Sequence, residues 1–151
     1  MNSVFEVQKT IREILLKVLD NHSLEQLNKI PPGFSNNLIW NVGHCVSAQQ
    51  SLVYKLSGLP VIVSEELISK YSKGTKPEGN VSQAEVDEIR ELLLTTLSQT
   101  EQDFENKHFV NYNEYTTSMG FKLKNIQNAL DFNNYHEGLH TGIIMSIRKF
   151  V

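Results

Sequence analysis

At 151 residues, with 40% hydrophobic and 21% charged residues, the chain has the size and balance of a single globular domain spanning residues 1–151. A formal net charge of −3, with no basic stripe interleaved with aromatics, argues against nucleic acid and anionic membrane surfaces as partners. Cys45 is the only cysteine, which excludes an internal disulfide and fits a reducing compartment.

The opening segment mixes charges with apolar residues and lacks the basic start, apolar run and small-residue cleavage site of a secretion signal. No stretch is long and apolar enough to cross a bilayer, so the expected location is cytoplasmic. Val4, Val7, Ile11, Ile14 and Val18 recur at spacings of three and four, predicting a first helix over residues 3–28 that stops before Pro31 and Pro32. Glu6, Lys9, Arg12 and Glu13 fall largely off that stripe. Ser35 and Asn36 are candidate N-caps for a second helix over 36–57, closed by Gly58 and Pro60.

A connector follows, with a short helix expected at 64–71. Ser82-Gln83-Ala84-Glu85 reads as a capping box opening a third helix over 83–105, striped by Val86, Ile89, Leu93, Leu97, Thr100 and Phe104. Residues 112–121 have strand propensity but no evident partner, so no sheet beyond a two-residue bridge is expected. A fourth helix over 124–150 completes an all-α fold, a four-helix bundle with two longer connectors.

The fourth helix contains His136-Glu137-Gly138-Leu139-His140, whose two histidines lie one turn apart on one face. Ala129, Asn133, His136, His140, Ile143 and Ile147 form a continuous three-and-four series, so both rings are expected on the inward side. They can be metal ligands or hydrogen-bonded core histidines. His44 shares a face with Trp40 among the small residues Gly43, Ser47 and Ala48; read alone, it is better explained as structural. His22 and His108, near helix ends, are expected outside any site, and Cys45 as a buried, inert thiol. Glu137 points about 100° away from His136 and is expected to face solvent or to support a ligand. The pentapeptide also fits the H-E-x-x-H pattern of zinc proteases, but no His, Asp or Glu follows His140 to serve as a third ligand.

Two segments together resemble the DinB-like superfamily of metalloenzymes. One is Trp40-Asn41-Val42-Gly43-His44, in a helix that ends in Gly58-Leu59-Pro60. The other is His136-Glu137-Gly138-Leu139-His140-Thr141-Gly142. Leu139 and Ile143 depart from the commoner pattern, in which histidine and glutamine stand at these positions, without removing a ligand. The resemblance implies a four-helix bundle with an unusual order of helix directions and a site of His44, His136 and His140 for one divalent ion: zinc, nickel or iron. It further implies a homodimer and a small-molecule substrate, with a low-molecular-weight thiol as the candidate. Three neutral imidazoles leave coordination positions open, as in catalytic sites. Two readings follow: a metal-dependent enzyme such as a thiol-dependent S-transferase, or a non-catalytic metal-binding or stress-response protein.

Overall fold

The computed structural model describes residues 3–151. It contains six α-helices: α1 Ser3–Asp20, α2 Leu24–Asn28, α3 Leu38–Gln49, α4 Glu65–Tyr71, α5 Gln83–Glu105 and α6 Ile126–Ile147. The one sheet among the described residues is a two-stranded hairpin, β1 Tyr115–Thr116 against β2 Lys122–Leu123, in antiparallel register. The chain is therefore helical, as expected, and the strand-prone segment finds its partner immediately downstream. No helix among the described residues is long and apolar enough to cross a membrane.

The predicted first helix is broken in two, because polar side chains capture backbone groups at the break. Asn21 Nδ2 and His22 Nδ1 donate to the carbonyls of Lys17 and Val18, both at 2.7 Å. Ser23 and Gln26 then form a reciprocal capping box that restarts the chain as α2. The box expected at Ser82 is half made: Ser82 Oγ accepts from the Glu85 amide, while the Glu85 carboxylate accepts from Tyr71 Oη at 2.5 Å and Lys70 Nζ at 2.7 Å. Asn37, not Ser35 or Asn36, caps α3 by accepting from the Trp40 amide at 2.9 Å. Beyond Gln49 this helix continues as a π-helical turn over Gln50–Tyr54 and a 3-10 turn over Lys55–Ser57.

The longer helices pack in the pairs α1–α6, α1–α5, α3–α5 and α3–α6. Two apolar clusters form the core. One takes Leu15, Val18, Leu38, Val42, Val46, Val86, Ile89, Leu93, Ile144 and Ile147; the other takes Val4, Phe5, Val53, Tyr54, Leu97 and Leu130. The order of these residues along each helix shows that α1 and α6 run one way and α3 and α5 the other. Between the clusters, each helix buries polar side chains: Gln8 and Arg12, Gln49 and Gln50, Thr96 and Thr100, Asn133 and Glu137.

This polar belt corrects the expected face of α1. Val7 is half exposed, whereas Gln8 and Arg12 are wholly buried, so the inward stripe runs through Val4, Gln8, Arg12, Leu15 and Val18. Apolar periodicity alone missed it because two of its members are polar. The same reason corrects Glu137, which is fully buried and paired with Arg12 at 2.6 Å.

Candidate metal centre

The inward face of α6 runs through Ala129, Asn133, Glu137, Thr141 and Ile144, placing His136 and His140 on the margin of the core. On α3, His44 is buried with Trp40 stacked on its ring at 4.8 Å between centroids and 8° between planes. The ring centroid of His44 lies 5.1 Å from that of His136 and 4.7 Å from that of His140. One nitrogen from each of His44, His136 and His140 can be chosen so that all three lie within 4.8 Å of one another. His22 and His108 stand outside this group: His22 bonds the Val18 carbonyl, and His108 bonds Asp103 at 3.1 Å.

Hydrogen bonds set the tautomers of two of the rings. His44 Nδ1 lies 2.7 Å from the Tyr71 carbonyl, which can only accept, so Nδ1 carries the proton and Nε2 presents its lone pair. His140 Nδ1 lies 2.8 Å from Asn41 Oδ1. Asn41 Nδ2 is committed to Asn36 Oδ1 and the Asn37 carbonyl, which fixes the amide's orientation and makes Nδ1 of His140 the donor. Such outer contacts orient imidazoles for metal binding and raise their basicity as ligands. His136 Nε2 stands 3.2 Å from His44 Nε2, and its buried Nδ1 has no hydrogen-bond partner.

Burial pushes the His136 ring down to about 3, with His140 and His44 adding to the effect. Burial and His44 together bring His140 to about 4. His44 is lowered mainly by burial, opposed by its bond to Tyr71. All three rings are therefore neutral at physiological pH, the form a metal requires. Cys45, adjacent to His44 in sequence, is completely buried. Burial raises its thiol pKa, Glu137 adds to that and Arg12 opposes it, so the group stays an inert thiol.

The nitrogens fit a metal. Bond lengths of about 2.0–2.1 Å in tetrahedral geometry put ligand nitrogens about 3.3 Å apart. The His44–His136 separation is 3.2 Å, and no separation within the group exceeds 4.8 Å.

Two contributors were not visible as such in the sequence. Tyr71 reaches His44 because Gly43 lacks a side chain: a Cβ there would stand 2.6 Å from the Tyr71 ring. The Gly-His pair thus encodes a close approach of α4 to α3. Asn41 shares a face of α3 with His44, a spacing of three that hints at its role. By contrast, Glu137 cannot serve as the base of a zinc protease. Its carboxylate accepts from Arg12 Nε at 2.9 Å, Arg12 Nη2 at 2.6 Å, Asn133 Nδ2 at 2.9 Å and Gln8 Nε2 at 3.3 Å. A cleft of about 590 Å³ lies beside α3 and α4; Trp40 and Tyr71 line it, but none of the three histidines does.

No curated protein matches the sequence. The fold is similar to that in the crystal structure of a conserved protein from Enterococcus faecalis, with a TM-score of 0.69 and 12% identity over 98% of this chain and 94% of that one. The sequence matches the DinB superfamily over residues 9–144, nearly its whole length, and the chain belongs to that superfamily.

Proposed function

We propose that the protein binds one divalent ion through His44, His136 and His140 and uses it to activate a small-molecule substrate, with S-transfer from a low-molecular-weight thiol as the reaction. The observation that carries this reading is the tautomer assignment: Tyr71 and Asn41 hold the Nδ1 protons of His44 and His140, so both Nε2 atoms carry lone pairs, and that of His44 faces His136 Nε2 at 3.2 Å. Zinc, nickel and iron(II) all suit three imidazole donors. When bound, the ion supplies Lewis acidity that favours the deprotonated form of a thiol or water in its coordination sphere. The chain's own part is to keep the three rings neutral and oriented, and to leave positions for substrate on the partly exposed side of His136 and His140.

The rival reading, an ion that merely ties α3 to α6, is less well supported. These helices are already joined by packing and by the Asn41–His140 bond. Elemental analysis of tag-free protein, zinc titration and a thiol-transfer screen test the proposal. We expect one ion per chain, and loss of both metal and activity in His140→Ala with the helical signal retained. A large chelator-induced fall in unfolding temperature, with no thiol or substrate binding, would establish the structural reading instead.

A further inference from the structure

The three rings of the site are not held alike. Tyr71 and Asn41 fix the tautomers of His44 and His140, whereas His136 Nδ1 is buried with no hydrogen-bond partner. The contact at Nε2 assigns the His136 proton. His44 Nε2 has only a lone pair to offer, so across the 3.2 Å between the rings His136 Nε2 is the donor. A neutral imidazole carries one proton, which leaves His136 Nδ1 a bare acceptor in this arrangement. The ring cannot donate from Nε2 and ligate through it as well. To serve as a ligand there, His136 must carry its proton on Nδ1, and a buried N–H without an acceptor is costly.

We propose that Asn133 is the positioning residue of His136: its Oδ1 accepts from His136 Nδ1, directly or through one water, when His136 turns its Nε2 lone pair to the ion. The inference rests on the metal-binding reading and adds a residue to that site. Four buried side-chain atoms among the described residues lack a hydrogen-bond partner: Gln8 Oε1, Asn133 Oδ1, Asn134 Oδ1 and His136 Nδ1. Asn133 is wholly buried and stands three residues before His136, one turn away and about 60° from it around α6. Asn134 lies about 160° away around the helix and donates to the Val4 carbonyl. Asn133 Nδ2 donates to Glu137 Oε1 at 2.9 Å; a carboxylate only accepts, so the amide cannot turn over and Oδ1 stays the open acceptor. With the His136 proton on Nε2, Asn133 Oδ1 and His136 Nδ1 are both acceptors and neither can satisfy the other. Moving that proton to Nδ1 turns them into donor and acceptor, which accounts for both orphaned atoms at once.

Nitrogen-15 spectra of histidine-labelled protein, with and without zinc, read the tautomer of each ring. His136 is expected to carry its proton on Nε2 without zinc and on Nδ1 with it, while His44 and His140 keep theirs on Nδ1 throughout. Asn133→Leu should lower zinc affinity about ten-fold and speed exchange of the His136 Nδ1 proton with solvent. Gln8→Leu removes a comparable donor from the same Glu137 oxygen and should leave zinc affinity unchanged. An equal loss in both variants, or a loss in Gln8→Leu alone, overturns the role of Asn133. So does a His136 proton that stays on Nε2 with zinc bound at the other two rings, an outcome that leaves the metal reading standing. Failure to bind zinc overturns both readings. Where Asn133→Leu does not fold, the zinc-loaded parent protein decides: a nuclear Overhauser contact between the His136 Nδ1 proton and the Asn133 side chain is expected, and its absence overturns the proposal.

Discussion

Replacing Glu137 by glutamine changes no shape and removes one charge from the middle of the core. Both side chains of the Arg12–Glu137 pair are 0% exposed, so nothing can hydrate the guanidinium left behind. The wild-type carboxylate accepts four hydrogen bonds, two from Arg12 and one each from Gln8 and Asn133. A glutamine amide keeps one acceptor oxygen and turns the other position into a donor that faces donors whichever way it is oriented. Breaking a buried pair from one side costs about 3–5 kcal/mol. For a domain of this size that corresponds to a fall in Tm of about 6–20 °C. Urea unfolding followed by circular dichroism at neutral pH measures the loss. The double variant Arg12→Met with Glu137→Leu removes both charges and is expected to recover at least half of it, since apolar replacements of buried pairs are commonly neutral. A single-variant loss below about 1 kcal/mol would refute the reasoning, because it would mean that Arg12 finds water or another partner at no cost.

The lowered imidazoles make a second prediction for the proposed site: zinc affinity should be nearly independent of pH through mild acid. Three ordinary imidazoles at about 6.5 would lose affinity several hundred-fold between about pH 7 and pH 5.5; here the fall should stay below about ten-fold, measured against a competing chelator. Metal-free protein should lose stability as pH falls below the unfolded value of 6.5 toward about 3–4, because the unfolded chain takes up protons that folded His136 and His140 refuse. A stability profile that stays flat across that window would contradict the assignment. Gly43→Ala should destabilise by about 1–3 kcal/mol despite alanine's better helix propensity, because its Cβ meets the Tyr71 ring, and it should weaken zinc binding by displacing the carbonyl that holds His44. Chemical denaturation and zinc titration of the same variant check both effects.

Much of the fold was legible because its signals are local. The limits of α5 follow from Ser82 and the stripe from Val86 to Thr100, and Ser64 caps α4 where a short helix was expected. What escaped involved polar side chains acting across the core. Arg12 and Gln8 break the apolar pattern of α1 because their partner, Glu137, lies more than a hundred residues away. The break at Asn21–Ser23 was visible in principle, as serine followed three residues later by glutamine, but the helix was read through to the first strong breaker, Pro31. At the site, the three histidines could be picked out by helical spacing and family resemblance. Tyr71 could not, since it acts through its backbone carbonyl, a group every residue possesses.

The π-helical turn at Gln50–Tyr54 bears on how this helix can change in evolution. Such a turn holds one residue more than the α-helical repeat allows and acts as a phase shift between the two ends. Upstream, Asn41 and His44 keep register with the histidines of α6; downstream, Tyr54 keeps register with Asp103, to which it donates at 2.6 Å. Loss of one residue within the turn would restore a regular helix with both ends still in register, whereas winding the same residues as a regular helix would rotate Tyr54 by about 100° relative to Asp103. The lineage can therefore gain or lose one residue within this turn while the histidine end and the Tyr54–Asp103 contact both stay in phase.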